Sequence, residues 1–390
     1  MKRYFTLMLY ILCISILCIP MLCIGCAGCD LSGDEGQSSE TKNSLLIMTW
    51  NVQNLFDGKD DGTEYAEFTQ AEGWSVEKYK GRLNVISAAI GGLEQKPDII
   101  AMQEVESIQV MNDLAAALSG NGYNWTQFAS VRAMALGVGL ISRYPITGTK
   151  SHSVYVDGEI APRPMLEAGI VTSGNSDDEP SLMIFVCHWK SKIGGEDATE
   201  STRRASARII LRRLRELKAS EKSLPVIVTG DLNENYDEFY RRSGEIICAL
   251  LPDDPRAAQL VNLYGIDDSE PDELVMELQQ DFIIISRQKP PAARFFPTAS
   301  LVMYSPWADD LENNFEGDAG TYYYRNNWET IDHFLLCSDL FNGIGWDYDR
   351  SQVLNVQPFA SVRGYPLAYN IRTGSGISDH LPLLLFLKYR

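Results

Sequence analysis

The sequence predicts a mixed α/β fold in which sheets are covered on their outer faces by helices. Two observations carry that expectation. Short, almost unbroken apolar runs recur along the chain, the signature of strands buried on both faces. Between them lie longer segments with helical periodicity. Beyond residue 44 neither an internal repeat nor a second break in composition divides the chain, so one large domain over 44–390 is expected. With 45% apolar and 22% charged residues the chain can bury a sizeable core and does not read as disordered.

In chain order, the strand candidates start with LLIMTW at 45–50 and DIIAMQ at 98–103. LGVGLIS (136–142), LEAGIVT (166–172), SLMIFVC (181–187) and PVIVT (225–229) follow, then 281–286, 330–337 and 382–388. Helices are expected at about 76–93, 105–118 and 199–218. The last carries Arg203, Arg204, Arg208, Arg212, Arg213, Arg215 and Lys218 beside Ile209, Ile210, Leu214 and Leu217. That pattern reads as a covering helix with a solvated basic side rather than a nucleic-acid patch. Cys187, Cys248 and Cys337 each sit among apolar neighbours and read as buried thiols.

The first segment is of another kind. Lys2 and Arg3 precede an apolar run from Tyr4 to Ile24, which breaks into Gly25, Cys26, Ala27, Gly28 and Cys29. This resembles a bacterial lipoprotein signal, in which a Cys becomes the lipidated first residue. Position −3 is a Cys for either cut, where that pattern usually has Leu. An uncleaved anchor is the first alternative, because about 20 apolar residues also span a bilayer; ordinary cleavage is the second. All three place the bulk of the chain outside the cytoplasm, with 1–29 as signal or anchor and 30–43 as a solvated tether. The formal charge is −18, and loss of Lys2 and Arg3 would make it −20, with 52 acidic and 32 basic residues. Such a balance works against long-range attraction to nucleic acid or anionic lipid, yet a bound divalent cation or a local basic patch can still recruit phosphates.

Polar residues recur at the ends of the apolar strands. Asn51 follows LIMTW, Glu104 follows DIIAMQ, His188 follows MIFVC, and Asp231 and Asn233 follow VIVTG; Asp332 sits inside TIDHFLL, and Asp379 and His380 precede LPLLLFL. Singly, each is a turn cap or an ordinary structural residue. In the order TWN, QE, GVGLISRYPI, HWKS, GDLN, IDH and SDH they resemble the endonuclease/exonuclease/phosphatase superfamily across nearly all of 45–390, most closely its secreted bacterial members. The resemblance implies a four-layered α/β sandwich, two mixed sheets face to face with helices outside.

It also implies roles. Glu104 is the carboxylate that holds a divalent cation, Mg²⁺ or another such as Mn²⁺ or Ca²⁺, with Asn51 beside it and Asp379 joining directly or through water; oxygen ligands suit hard cations. His380 is the histidine at the reaction centre, oriented by Asp332. Asp231 and Asn233 position the attacking water and the phosphate oxygens, and His188 contacts the phosphate. Arg163 and Lys190 are expected to bind substrate, and Tyr155 lies near the place of a phosphate-touching Tyr. The acidic loop from Asp57 has Gly62 at its sixth place but Phe68 at its twelfth, where a calcium loop needs a bidentate Glu. The expected activity is hydrolysis of DNA or RNA by a monomeric secreted nuclease, with a sphingomyelinase-type or inositol-phosphatase-type phosphoesterase as the alternative and a non-catalytic binding lipoprotein third. The interval 234–329, rich in aromatic residues, leaves the substrate open.

Overall fold

The computed structural model describes residues 43–172, 179–220, 224–263, 280–308 and 320–390. The expected signal or anchor (1–29) and 30–42 of the expected tether lie outside the described residues. The strands are β1 (Ser44–Leu55), β2 (Ile99–Val105), β3 (Trp125–Ala129), β4 (Gly137–Ser142), β5 (Ile146–His152), β6 (Tyr155–Val156), β7 (Glu159–Ile160), β8 (Met165–Ile170) and β9 (Leu182–His188). They continue with β10 (Val226–Asp231), β11 (Leu250–Pro252), β12 (Ile283–Ser286), β13 (Val302–Tyr304), β14 (Tyr322–Tyr324), β15 (Asn327–Glu329), β16 (Asp332–Leu336), β17 (Trp346–Val353) and β18 (Leu383–Tyr389). One sheet has the order β17-β18-β1-β2-β4-β3 and the other β11-β12-β13-β16-β10-β9-β8-β5. Both are mixed: β1 and β2 run parallel, as do β9 and β10, while β18 and β16 join antiparallel.

Side-chain alternation builds the four layers. In β1, Leu45 and Ile47 face the space between the sheets, where they meet Leu182, Ile184 and Val186 of β9. Leu46, Met48 and Trp50 face outward onto Ile86 and Ile90 of α1 (Val76–Gly91) and Val110 and Leu114 of α2 (Ile108–Ala117). On the other side Met183, Phe185 and Cys187 meet Ile210, Leu211 and Leu214 of α3 (Glu196–Ala219). A strand with an apolar layer on each face must be apolar at every position, which is why these runs are unbroken. The four-layered α/β sandwich is therefore the observed fold. Among the described residues no helix is long and apolar enough to cross a membrane.

Two expectations need correction. Helix α2 starts at Ile108 rather than 105, because Ser107 caps it by accepting the Val110 N–H at 3.3 Å and leaves Val105 to the strand. The basic side of α3 is not simply solvated. Arg203 is fully buried against Glu200 (2.7 Å) and Glu234 (3.0 Å), Arg204 and Arg208 share Asp281, and Arg213 reaches Glu167 at 2.7 Å. The helix spends these charges on carboxylates of the domain beneath it. The three cysteines are free thiols, Cys187 and Cys248 buried and Cys337 partly so.

Glu167 on β8 lies beneath α3 and accepts from His152 (2.6 Å) and Arg213. Burial alone would raise its pKa, but these two partners outweigh it and hold the carboxyl down at about 2 against an ordinary 4.5. A depressed carboxylate pKa contributes stability that is complete above the unfolded value and disappears as pH falls through the folded one. Glu167→Gln is expected to lose on the order of 1–2 kcal/mol at pH 7, after allowance for solvent screening around Arg213. The gap to the unmutated protein should close between about pH 4.5 and 2. Urea unfolding at pH 7 and pH 3 measures it, and an equal gap at both would sink this account.

Candidate active site

Strand register assembles the centre. In the second sheet the pairing sets His188 opposite Asp231, and Asp231 opposite Asp332. In the first sheet Asn51 pairs with Gln103, and the register shifts between Gln103 and Val105. Glu104 occupies that irregularity with φ 61, a strained left-handed conformation that turns it out of the strand's alternation. The segment before β18 is tied to β1: Ser378 Oγ donates to the Asn51 carbonyl (2.6 Å) and accepts the His380 N–H (3.1 Å), while Trp50 Nε1 donates to the His380 carbonyl (2.9 Å).

His380 Nδ1 lies 2.7 Å from Asp332 Oδ2, which also accepts from Thr321 Oγ1 at 2.6 Å. Burial disfavours a charged imidazole, but Asp332, Asp231 and Asp379 outweigh it and raise the His380 pKa to about 10. Nε2 faces Asp231 at 4.0 Å. Asp231 is held from both sides: Oδ1 accepts the Asn233 N–H at 2.9 Å and Oδ2 accepts Asn51 Nδ2 at 3.0 Å. Burial pushes its carboxyl up to about 7 against the opposing pull of His380. His188 Nε2 stands 3.5 Å from Asp231 and 3.7 Å from Glu104. Burial, then the nearby charges of Arg163, His380 and Lys190, holds its pKa well below the usual histidine value. One centre thus holds one histidine whose pKa is raised and another whose pKa is lowered, an arrangement that sets two like groups to different tasks.

Glu104 accepts Asn51 Nδ2 (3.2 Å) and the Asn54 N–H (2.9 Å). Asp379 has its pKa raised by burial and by the neighbouring Glu104 charge. Tyr322, stacked on His380 at 4.6 Å between ring centroids, is pushed up to about 12 by burial and by the charges of Asp379, Asp231 and Glu104. The all-oxygen chemistry of Glu104 and Asp379 fits a hard divalent cation. Asn51, expected as a ligand of that cation, donates from its nitrogen to Glu104 and Asp231 and accepts the Gln53 N–H (3.0 Å) on its oxygen, so it bridges the two carboxylates.

The remaining expected residues fall close by. Asn233, at φ 50, donates from its side chain to the Trp189 carbonyl at 3.1 Å, and Arg163 approaches the same carbonyl at 3.4 Å. Lys190 Nζ donates to the Ile193 carbonyl at 3.2 Å. Arg163, His188 and Lys190 line one cavity together. Tyr155 does not join them: it is 60% exposed on the β6–β7 hairpin, and Tyr65 lines the cavity instead. Asp61 and Glu64 of the acidic loop accept backbone N–H groups of the loop itself, which closes it without an EF-hand. Gly230 of GDLN has φ 128, and a Cβ there would lie 2.0 Å from the Cys187 carbonyl oxygen, so no other residue fits beside Asp231.

Several supporting residues were missed from sequence. Arg82, buried on α1, donates to three successive carbonyls, Val52, Gln53 and Asn54, and so holds the left-handed turn that follows Asn51. Gln53 Oε1 accepts the Tyr369 N–H at 2.6 Å, which locks this turn to the segment leading to Asp379. An Arg among the buried positions of an amphipathic helix was the available signal. Ser378 and Thr321 offered none, since each works only through a partner distant in sequence.

Residues 46–265 match the model of the Endonuclease/Exonuclease/phosphatase family. Among solved structures, an endonuclease/exonuclease/phosphatase family protein from Bacteroides thetaiotaomicron is 15% identical, with 89% of this chain and 98% of that one covered and a TM-score of 0.46. The human nocturnin catalytic domain with bound sulfate is 13% identical (90% and 96% covered, TM-score 0.48), and a Bacteroides thetaiotaomicron mannosyl-6-phosphatase is 16% identical (88% and 99%, TM-score 0.43). No curated protein matches the chain. On the family match, which spans more than half of its length, this chain belongs to the endonuclease/exonuclease/phosphatase family and has a phosphoesterase fold.

Proposed function

We propose that this chain is a divalent-cation-dependent phosphodiesterase that hydrolyses DNA or RNA outside the cytoplasm. The observation that carries this reading is the convergence of the His380–Asp332 pair with Asp231, neutral His188 and the carboxylates of Glu104 and Asp379. A phosphodiester is anionic before and during reaction, so its barrier falls mainly through charge and donors placed around phosphorus. His380, kept charged by Asp332, directs Nε2–H at a non-bridging oxygen. Asp231, fixed by Asn51 and the Asn233 N–H, accepts the proton of the attacking water. His188 supplies an uncharged donor to the phosphate. Glu104 and Asp379 would hold Mg²⁺, with Mn²⁺ or Ca²⁺ as alternatives, and such an ion when bound neutralises charge on the phosphate and the leaving oxygen. A cysteine nucleophile is not needed, and burial pushes the Cys187 thiol far above the thiolate range.

The basic and apolar start of the sequence, ending in Cys26 and Cys29, supports export and a lipid anchor at the bacterial envelope, with 30–43 as tether and 44–390 as a monomeric catalytic domain. The test offers the protein plasmid DNA, RNA, sphingomyelin and inositol phosphates, with Mg²⁺ and with a chelator. Metal-dependent cleavage of nucleic acid is expected. Turnover of lipid or inositol phosphate alone would overturn the nuclease reading, and turnover of none would leave a binding lipoprotein.

A further inference from the structure

Resting on the cation-dependent reading of the centre, we infer that Arg82 is a positioning residue of the cation site: its guanidinium moulds the turn 52–54, and through that turn it aims the Glu104 carboxylate. The turn is the first observation. Gln53 and Asn54 have φ 54 and 57, two consecutive residues other than glycine in the left-handed region. Such backbone is unfavourable for any residue with a Cβ and persists only where its surroundings hold it. Here the carbonyls of Val52, Gln53 and Asn54 all accept from the one guanidinium, Asn54 from Nη1 at 2.6 Å and the other two from Nη2.

What the turn delivers is the grip on Glu104. The Asn54 N–H donates to Glu104 Oε2 at 2.9 Å, and Asn51 Nδ2 donates to Oε1 at 3.2 Å while its own oxygen accepts the Gln53 N–H. Both carboxylate oxygens are therefore held by donors from 51–54. Glu104 is itself left-handed at φ 61, so strand alternation does not set its direction and these donors do.

The second observation is the company Arg82 keeps. It is 3% exposed, yet among the described residues no carboxylate lies within ion-pair distance of it. A buried Arg is ordinarily paired with an acid. This one lies over the Tyr369 ring, 4.2 Å from its centroid, and its Nε has no partner. Burial lowers its pKa to about 10, and the charges of Tyr369, Glu104 and Asp379 act against the fall. A residue that only filled the buried face of α1 would be apolar, as Leu83, Ile86 and Ile90 are. The fold instead keeps a planar, charged fork behind the two carboxylates of the cation site.

Arg82→Lys keeps the charge and loses the fork. Titration of the full-length protein with Mg²⁺ in a calorimeter, without substrate, should show binding at least about tenfold weaker than in the unmutated protein, as for other partners of metal ligands. Asn54→Val strains the same turn without touching α1 and should weaken Mg²⁺ by about as much, which keeps the test open if Arg82→Lys does not fold. Tyr369→Leu removes the ring over the guanidinium and leaves its three carbonyl bonds; it should lower the melting temperature and keep Mg²⁺ affinity within about twofold. Amide exchange in EDTA reads the turn by itself: in Arg82→Lys it should quicken about tenfold over 52–56 and stay unchanged in β9 and β10. Unchanged Mg²⁺ affinity in Arg82→Lys or in Asn54→Val, or an equal loss in Tyr369→Leu, would overturn the inference. So would exchange that quickens equally in β9 and β10, since Arg82 would then serve the fold alone. An unmutated protein that binds no Mg²⁺ would instead overturn the cation reading, and the exchange in EDTA would still decide whether Arg82 holds the turn.

Discussion

His380→Ala is expected to lower kcat and kcat/KM together by about 10²–10³-fold, the range for losing one preorganised donor to the charge that develops on the phosphate. The loss falls on kcat because Nε2–H is strongest toward the phosphate when charge builds in the transition state. Asp332→Asn should cost a similar amount alone, since a neutral amide neither holds the imidazole charged nor fixes Nδ1–H. Because the two act as one unit, adding Asp332→Asn to His380→Ala should cost little more, and a fully multiplicative double variant would refute the pairing. Stability changes as well. With the imidazole gone, Asp332 keeps only Thr321 as a side-chain donor, and its Oδ1 already lacks a partner among the described residues. Loss on the order of 3 kcal/mol is expected, so activity should be normalised to folded protein by circular dichroism.

Glu104→Gln should act in opposite directions with and without metal. The substitution removes one of the carboxylates that would hold the cation, and the Mg²⁺ concentration for half-maximal activity should rise at least about 10–100-fold, since even supporting partners of metal ligands contribute that much. Without Mg²⁺ the same change should stabilise the protein, because the Glu104 charge is one of the factors raising the Asp379 pKa. The amide oxygen can still accept the Asn54 N–H and so retain the turn after Asn51, while the amide nitrogen gives up the Asn51 Nδ2 contact. Thermal melts with EDTA and with saturating Mg²⁺ read both effects: a higher melting temperature without metal and a smaller rise on adding it. A lower melting temperature in EDTA would show that Glu104 serves the fold rather than a cation. A centre that is unfavourable until occupied is the usual cost of function carried by a stable scaffold.

The interior strands were legible because burial on both faces leaves a plain mark. LLIMTW, SLMIFVC and PVIVT had to be continuously apolar to serve two layers at once. The strands that escaped notice include β3, β5, β11 and β17, each at the edge of a sheet, and the three-residue interior strand β13. An edge strand such as β5, largely solvent-facing, satisfies its backbone on one side and needs no apolar alternation. Helix α3 was legible as a helix but misread in its charges, since the acids that claim Arg203, Arg204 and Arg213 come from Glu200 on its own surface and from Glu234, Asp281 and Glu167 far along the chain.

For the site, the sequence by itself picked out the side chains that the fold brings together: His188, Asp231, Asn233, Asp332, His380, Glu104 and Asp379 stand at strand ends or within short motifs. Only the tertiary structure decided what each does there. It raised the His380 pKa through Asp332, lowered that of His188 by burial and by Arg163, His380 and Lys190 nearby, and set Asn51 between Glu104 and Asp231. It also recruited Arg82 and Ser378 to hold the centre. The physical reason is common to all of these. Residue type fixes what a group can donate, accept or ionise, whereas its ionisation state and direction depend on burial and on neighbours that the fold brings from 28 to 330 residues away.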